Sequence, residues 1–113
     1  MIIDDEPYNI EVLKSILSTM DMCGFPDCIS CFYDADSALK VLESSISYDT
    51  ETGDQTSDFC LVLSDLNMPI MDGYDFAVSA RDIFNRRQIP RSDQPKIVAV
   101  TGNVEHSYIR RCF

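Results

Sequence analysis

The chain has 113 residues, 45% of them hydrophobic and 25% charged, which suits one globular domain of ordinary composition. Nineteen acidic side chains against nine basic ones leave a formal charge of −10; this argues against nucleic-acid binding through the segment, since phosphate contacts need Lys and Arg, and suits a cation site or a basic partner surface. The longest apolar run, Phe59 to Leu63, is too short to cross a bilayer, and the start MIIDDEP lacks the basic and long apolar parts of a secretion signal, so an intracellular segment is expected.

Met1-Ile2-Ile3 reads as the end of a buried strand, clipped at its start, and Asp4-Asp5-Glu6 follows at once. Pro7 is placed as a first helical residue, and Ile10, Leu13, Ile16, Leu17 and Met20 recur at helical spacing, which predicts an amphipathic helix over 7–20. Gly24-Phe25-Pro26 breaks it. Cys28 to Tyr33 reads as a second strand. A helix capped by Asp34 or Asp36 then presents Ala35, Ala38, Leu39, Leu42 and Ile46 on one face. Residues 47–58 are polar, acidic and aperiodic, and read as a solvated, mobile loop inserted between elements.

The third strand, Phe59 to Ser64, runs into Asp65. After Gly73 a helix shows Phe76, Ala77, Ala80 and Phe84 on one face. Its end and the loop beyond carry Arg81, Arg86, Arg87 and Arg91, read as a solvated face with favourable dipole charge. Lys96 to Val100 is a fourth strand, ending at Thr101-Gly102, and 104–113 reads as a helix with Val104, Tyr108 and Cys112 on one face. Helices alternating with short, continuous apolar strands predict an α/β, doubly wound parallel sheet. Five cysteines without a secretion signal are expected to be reduced thiols. Cys23, Cys28, Cys31 and Cys60 match a plant-type iron–sulfur spacing, but the strand pattern turns Cys28 and Cys31 to opposite faces, which disfavours a cluster. His106, beside Glu105 in a polar segment, reads as a surface residue.

Three strands thus end in polar residues at one edge of the sheet: Asp4-Asp5, Asp65 and Thr101. In a flavodoxin-like order the first and third strands are neighbours flanking the switch point, which brings three carboxylates together. A hard divalent cation such as Mg2+ relieves their repulsion.

Asp4-Asp5-Glu6, the run from Ser64 to Gly73 (SDLNMPIMDG) and Val98-Ala99-Val100-Thr101-Gly102 together resemble the receiver domain of two-component response regulators and hybrid histidine kinases, over essentially the whole chain. The resemblance implies strand order 2-1-3-4, with the fifth strand and last helix of the family missing, so that 1–113 is expected to be a receiver domain truncated at its C-terminus and clipped at its N-terminus. It implies that Asp65 accepts a phosphoryl group from a phosphohistidine on a histidine kinase or histidine phosphotransfer protein. Asp5, Asp65 and the backbone carbonyl of Asn67 would bind Mg2+, Asp4 would act through water, and Thr101 would contact the phosphoryl group as a switch. Pro69 and Gly73 would shape the loop. The family's Lys at the end of a fifth strand has no counterpart: Lys96 begins a strand, and Lys14 and Lys40 lie in helices. The expected role is phosphorelay signalling without independent enzymatic activity, in the cytoplasm or as the cytoplasmic part of a membrane-anchored hybrid kinase. Two other readings stand beside it. One is a degenerate receiver acting as a protein-binding module. The other is a phosphatase of the haloacid dehalogenase type, which needs a second Asp two residues after the first; Asn67 stands there and exchanges no proton at neutral pH.

Overall fold

The computed structural model describes residues 1–20 and 28–102. In chain order the elements are β1 (Ile2–Ile3), α1 (Pro7–Thr19), β2 (Cys31–Phe32), α2 (Ala35–Ser44), β3 (Ile46–Tyr48), β4 (Gln55–Ser57), β5 (Leu61–Ser64), α3 (Gly73–Arg86) and β6 (Lys96–Ala99). Four strands form one parallel sheet in the order β2-β1-β5-β6, and β3 and β4 form a separate antiparallel pair. With the pair set aside, this is the expected order 2-1-3-4. The fourth expected helix, over 104–113, and His106 lie outside the described residues, as do the Gly24-Phe25-Pro26 break, Cys23 and Cys112.

β2 pairs with β1 over Cys31–Phe32, within the expected 28–33. Register aligns Ile3 with Phe32 on one side and with Ser64 on the other. Alternation turns Ile3 and Val62 into a core built with Ala38 and Leu42 of α2, Phe76, Ala80 and Phe84 of α3, and Met68 and Ile89 from loops. Ile2 faces the other way, where α1 lies: Leu17 and Met20 line one cavity with Ile2, Leu61 and Leu63. Helices therefore lie on both faces of the sheet, while β6 is left largely exposed.

Local chemistry explains the helix starts. Pro7 stands in the first turn of α1, where its missing N–H costs no helical bond. Asp34 caps α2, accepting the Ser37 N–H at 2.7 Å, and that hydrogen bond holds its carboxyl below the ordinary range. Asp72 caps α3 by accepting the Asp75 N–H at 2.8 Å. On α1 the expected apolar face is only partly used. Ile10 is buried and Leu13 and Leu17 are half-buried, whereas Ile16 and Met20 are exposed, because one helix on a flat sheet buries a narrow stripe, here 10-13-17.

Residues 47–58 differ from the expected unstructured loop. Together with Ile46, expected on the face of α2 but found as the first residue of β3, they form a hairpin that pairs Ser47 with Thr56 and Tyr48 with Gln55. The turn closes on Asp49, whose Oδ1 accepts the Glu51 N–H at 2.7 Å and whose carbonyl accepts the Gly53 N–H at 2.9 Å; Gly53 has φ +77°. An isolated two-stranded hairpin is marginal in water. This one is tied down at its root, where the Asp58 N–H donates to the Ser45 carbonyl at 3.3 Å, and at its side, where Gln55 Nε2 donates to the Arg87 carbonyl at 3.1 Å.

The arginine cluster serves the fold. Arg81 donates to Gln94 Oε1 at 2.9 Å and to the Pro95 carbonyl at 3.1 Å, Arg86 pairs with Asp82 at 3.0 Å, and Arg87 lies 3.8 Å from Glu43. No helix among the described residues is long and apolar enough to cross a membrane.

Phe84 is fully buried between the sheet and α2. Phe84→Ala is expected to lower unfolding free energy by about 3–5 kcal/mol, a large fraction of the stability of a small domain, read as a fall in the urea midpoint.

Candidate functional site

The site begins with two backbone hydrogen bonds. The Asp4 N–H donates to the Phe32 carbonyl at 3.1 Å, and the Asp65 N–H donates to the Ile3 carbonyl at 2.9 Å. Strands β1 and β5 therefore end level with one another and deliver Asp4 and Asp65 side by side, with Asp5 next along the chain. Carboxylate oxygens of Asp4, Asp5 and Asp65 lie within 4.8 Å of one another, and among the described residues this is the only group of acidic, histidine or cysteine side chains able to hold a metal ion. Cys28, Cys31 and Cys60 do not converge; Cys28 and Cys60 are exposed and Cys31 is half-buried. The Val100 N–H donates to the Ser64 carbonyl at 2.9 Å, which carries the end of β6 to the same edge and places half-buried Thr101 there.

Asp4 is 4% exposed. Its Oδ1 accepts the Glu6 N–H at 2.9 Å and Asn9 Nδ2 at 3.3 Å. Asp65 is more open, and its Oδ1 accepts the Leu66 N–H at 2.8 Å. Burial pushes the Asp65 carboxyl above its ordinary range. The charges of Asp4 and Asp5 push the same way, against the lowering effect of the Asn67 and Leu66 N–H groups. Three oxygen donors this close match a hard divalent ion such as Mg2+, which binds carboxylates at about 2.0–2.1 Å.

Ser64 is buried and donates its hydroxyl to the Asp65 carbonyl at 3.0 Å, a structural role as its strand position predicts. Asn67 is exposed on the loop, with its N–H directed to the Asp65 carboxylate. The loop is anchored from below: Leu66 and Met68 are buried, and Met71 packs on the core from above. Between these anchors the Met71 N–H donates to the Pro69 carbonyl at 2.9 Å around Ile70, whose φ is +72°. This is the rare, strained form of γ-turn, and on a β-branched residue it costs of order 1–3 kcal/mol. Ile70 is fully exposed, so its own burial offsets none of that strain.

Gly73 begins α3 directly behind the site. Its N–H donates to the Leu66 carbonyl at 3.1 Å, and a Cβ there would lie 2.2 Å from the Asp65 carbonyl oxygen. Only glycine permits that approach. Asn9 is a contact that sequence reasoning missed. Its signal was present, a carboxamide on the first turn of the helix that follows Asp4-Asp5, but nothing in periodicity says which side chain reaches back.

A parallel sheet ordered β2-β1-β5-β6, sandwiched by helices and carrying its acidic cluster at the carboxyl edge, is the flavodoxin-like fold of receiver domains. Among solved structures the chain is similar to the receiver domain of the histidine kinase CKI1 from Arabidopsis thaliana complexed with Mg2+, at 20% identity over 97% of this chain and 72% of that one, with a TM-score of 0.76. It is similar to the bacteriophytochrome response regulator AtBRR at 23% identity over 98% of this chain and 71% of that one, with a TM-score of 0.66. It is also similar to the Vibrio cholerae chemotaxis protein CheY4, at 17% identity over 97% and 72% of the two chains, with a TM-score of 0.63. No protein-family model and no curated protein matches the sequence.

Two outcomes are expected. Gly73→Ala forces the start of α3 away from Asp65 and should cost more than the ~1 kcal/mol that Gly and Ala differ by in a helix, here in the opposite sense, seen as a lower melting midpoint. The second concerns pH. Folding raises the Asp65 pKa, so folding favours the protonated form, and ionisation removes stability as pH rises through the raised value. Without divalent cations, Asp65→Asn should therefore be more stable than the native chain at neutral pH. The difference should vanish below the ordinary carboxylate range in urea titrations across pH.

Proposed function

We propose that this chain is a signalling domain that accepts a phosphoryl group on Asp65 from a phosphohistidine carried by a histidine kinase or a histidine phosphotransfer protein. The observation that carries the reading is the convergence of Asp4, Asp5 and Asp65 at the ends of two adjacent parallel strands. The likeness to the CKI1 receiver domain, solved with Mg2+ and with Mg2+ and BeF3−, supports it.

In the transfer, a carboxylate oxygen of Asp65 attacks phosphorus and the bond from phosphorus to the donor imidazole nitrogen breaks. An acyl phosphate forms, and the imidazole takes up a proton from solvent. Asp5, Asp65 and the Asn67 carbonyl would hold Mg2+, and Asp4 would reach it through water. The bound ion supplies neutralisation of charge between the carboxylates and the incoming phosphoryl oxygens. The chain's own residues do the positioning. The Leu66 N–H fixes one face of the Asp65 carboxylate, and Gly73 lets the helix end back it closely. Thr101, at the same edge, would hydrogen-bond the new phosphoryl oxygens. Asn67 carries no titrating group, so nothing at that position would activate water for hydrolysis, which sets the haloacid dehalogenase reading aside. Work of this kind belongs to the cytoplasm.

The reading is tested against a second one, a receiver that binds partners without being phosphorylated. Among the described residues no Lys stands at the carboxyl edge of the sheet. Lys96 pairs with Leu61 at the opposite end of β5, while Lys14 and Lys40 pair with Glu11 and Asp36 on helix surfaces. The experiment that separates the two is incubation with Mg2+ and acetyl phosphate, followed by intact mass. A phosphoryl adduct removed by hydroxylamine, and absent in Asp65→Asn and in EDTA, is the expected result. An unmodified native chain leaves the binding module.

A further inference from the structure

We propose that Asn9 is a positioning residue for the cation site: its side-chain amide, together with the Glu6 N–H, clamps one oxygen of Asp4 so that the other is turned to the site, where it would hold a water on the cation. The inference rests on the reading of Asp4, Asp5 and Asp65 as a Mg2+ site.

Asp4 is buried, and a buried carboxylate is held only where hydrogen bonds replace water. Its two donors are the Glu6 N–H at 2.9 Å and Asn9 Nδ2 at 3.3 Å, and both meet Oδ1. One donor fixes a point, and the carboxylate could still rotate about it. A second donor on the same oxygen, arriving from the first turn of α1, sets the plane and leaves Oδ2 as the oxygen available to the site. The arrangement is local to the sequence Asp4-Asp5-Glu6-Pro7-Tyr8-Asn9. Glu6 is the N-cap of α1 but makes no side-chain cap, and Asp4 accepts the Glu6 N–H just ahead of the helix start, where the dipole favours its charge. Asn9 is on that helix and itself exposed, so it contributes little to the core. An Asn brings a donor without charge. A carboxylate at the same place would repel Asp4 Oδ1, although its charge alone would attract a cation. Groups that orient metal-binding carboxylates are worth roughly 10–100-fold in metal affinity.

That opposition gives the test. Mg2+ affinity is measured by titration calorimetry for the native chain, Asn9→Leu, Asn9→Asp and Asn9→Gln, with melting midpoints in EDTA alongside. Asn9→Leu, which lacks donors, should bind Mg2+ about tenfold more weakly with an unchanged midpoint in EDTA. Asn9→Asp should also bind more weakly, against the sign of its added charge, and Asn9→Gln, which keeps a donor, should recover part of the loss. Native affinity in Asn9→Leu, or tighter binding in Asn9→Asp, overturns the proposal and leaves the cation site standing. If Asn9→Leu shifts the midpoint in EDTA, the Asp and Gln variants decide. A native chain with no saturable Mg2+ binding overturns the cation site itself.

Discussion

The hydrogen bond from the Asp65 N–H to the Ile3 carbonyl, 2.9 Å long, sets where everything else can be. It fixes the register of β5 on β1, and through it the side on which each residue of a two-residue strand points. A slip by one residue would turn Ile3 out of the core it shares with Val62, Phe76 and Phe84, and would move Asp4 away from Asp65. The site and the core are thus two readings of one alignment. The apolar packing on the α2 and α3 face holds the strands level. Level strands hold three like charges in a space they would leave if free.

The loop after β5 connects these two demands. Met68 enters the core, Gly73 docks against the Asp65 carbonyl, and the chain between must turn sharply at Ile70. The strain in that turn and the raised pKa of Asp65 share an origin: both are local costs that the surrounding packing over-determines. A sequence chosen only for stability would place Gly or Asn at 70 and a neutral residue at 65. Local departures of this sort are what a functional site is expected to show.

Much of this was legible in the residues. The parallel α/β sheet, the placing of Asp4, Asp5 and Asp65 at its edge and the start of α3 followed from short apolar runs ending in polar residues, because a strand buried on both faces has little freedom in how it is written; the strand order came from the resemblance to receiver domains. The hairpin at 46–57 was not legible. Its strands, Ile46-Ser47-Tyr48 and Gln55-Thr56-Ser57, carry no alternating apolar pattern, since it folds on contacts with the ends of α2 and α3 and not on a buried face of its own. The burial of α1 was overread for a related reason. Periodicity shows that a helix has an apolar side, but how wide a stripe is covered depends on what lies opposite. The carboxamide of Asn9 was visible on the first turn of α1 but its role was not, because a reach from helix to preceding strand end is geometry, with no spacing rule behind it.

Among the described strands of the sheet, β1 precedes both of its neighbours in sequence, β2 at Cys31–Phe32 and β5 at Leu61–Ser64. On a ribosome, Asp4 and Asp5 emerge long before Asp65, and until β5 pairs they are ordinary solvated acids. The cluster is therefore among the last features of the domain to exist. Any ion it captures is captured by chains whose central strand is already correctly flanked. A cation bound there would favour the folded state by mass action, because only the folded chain brings the three carboxylates together.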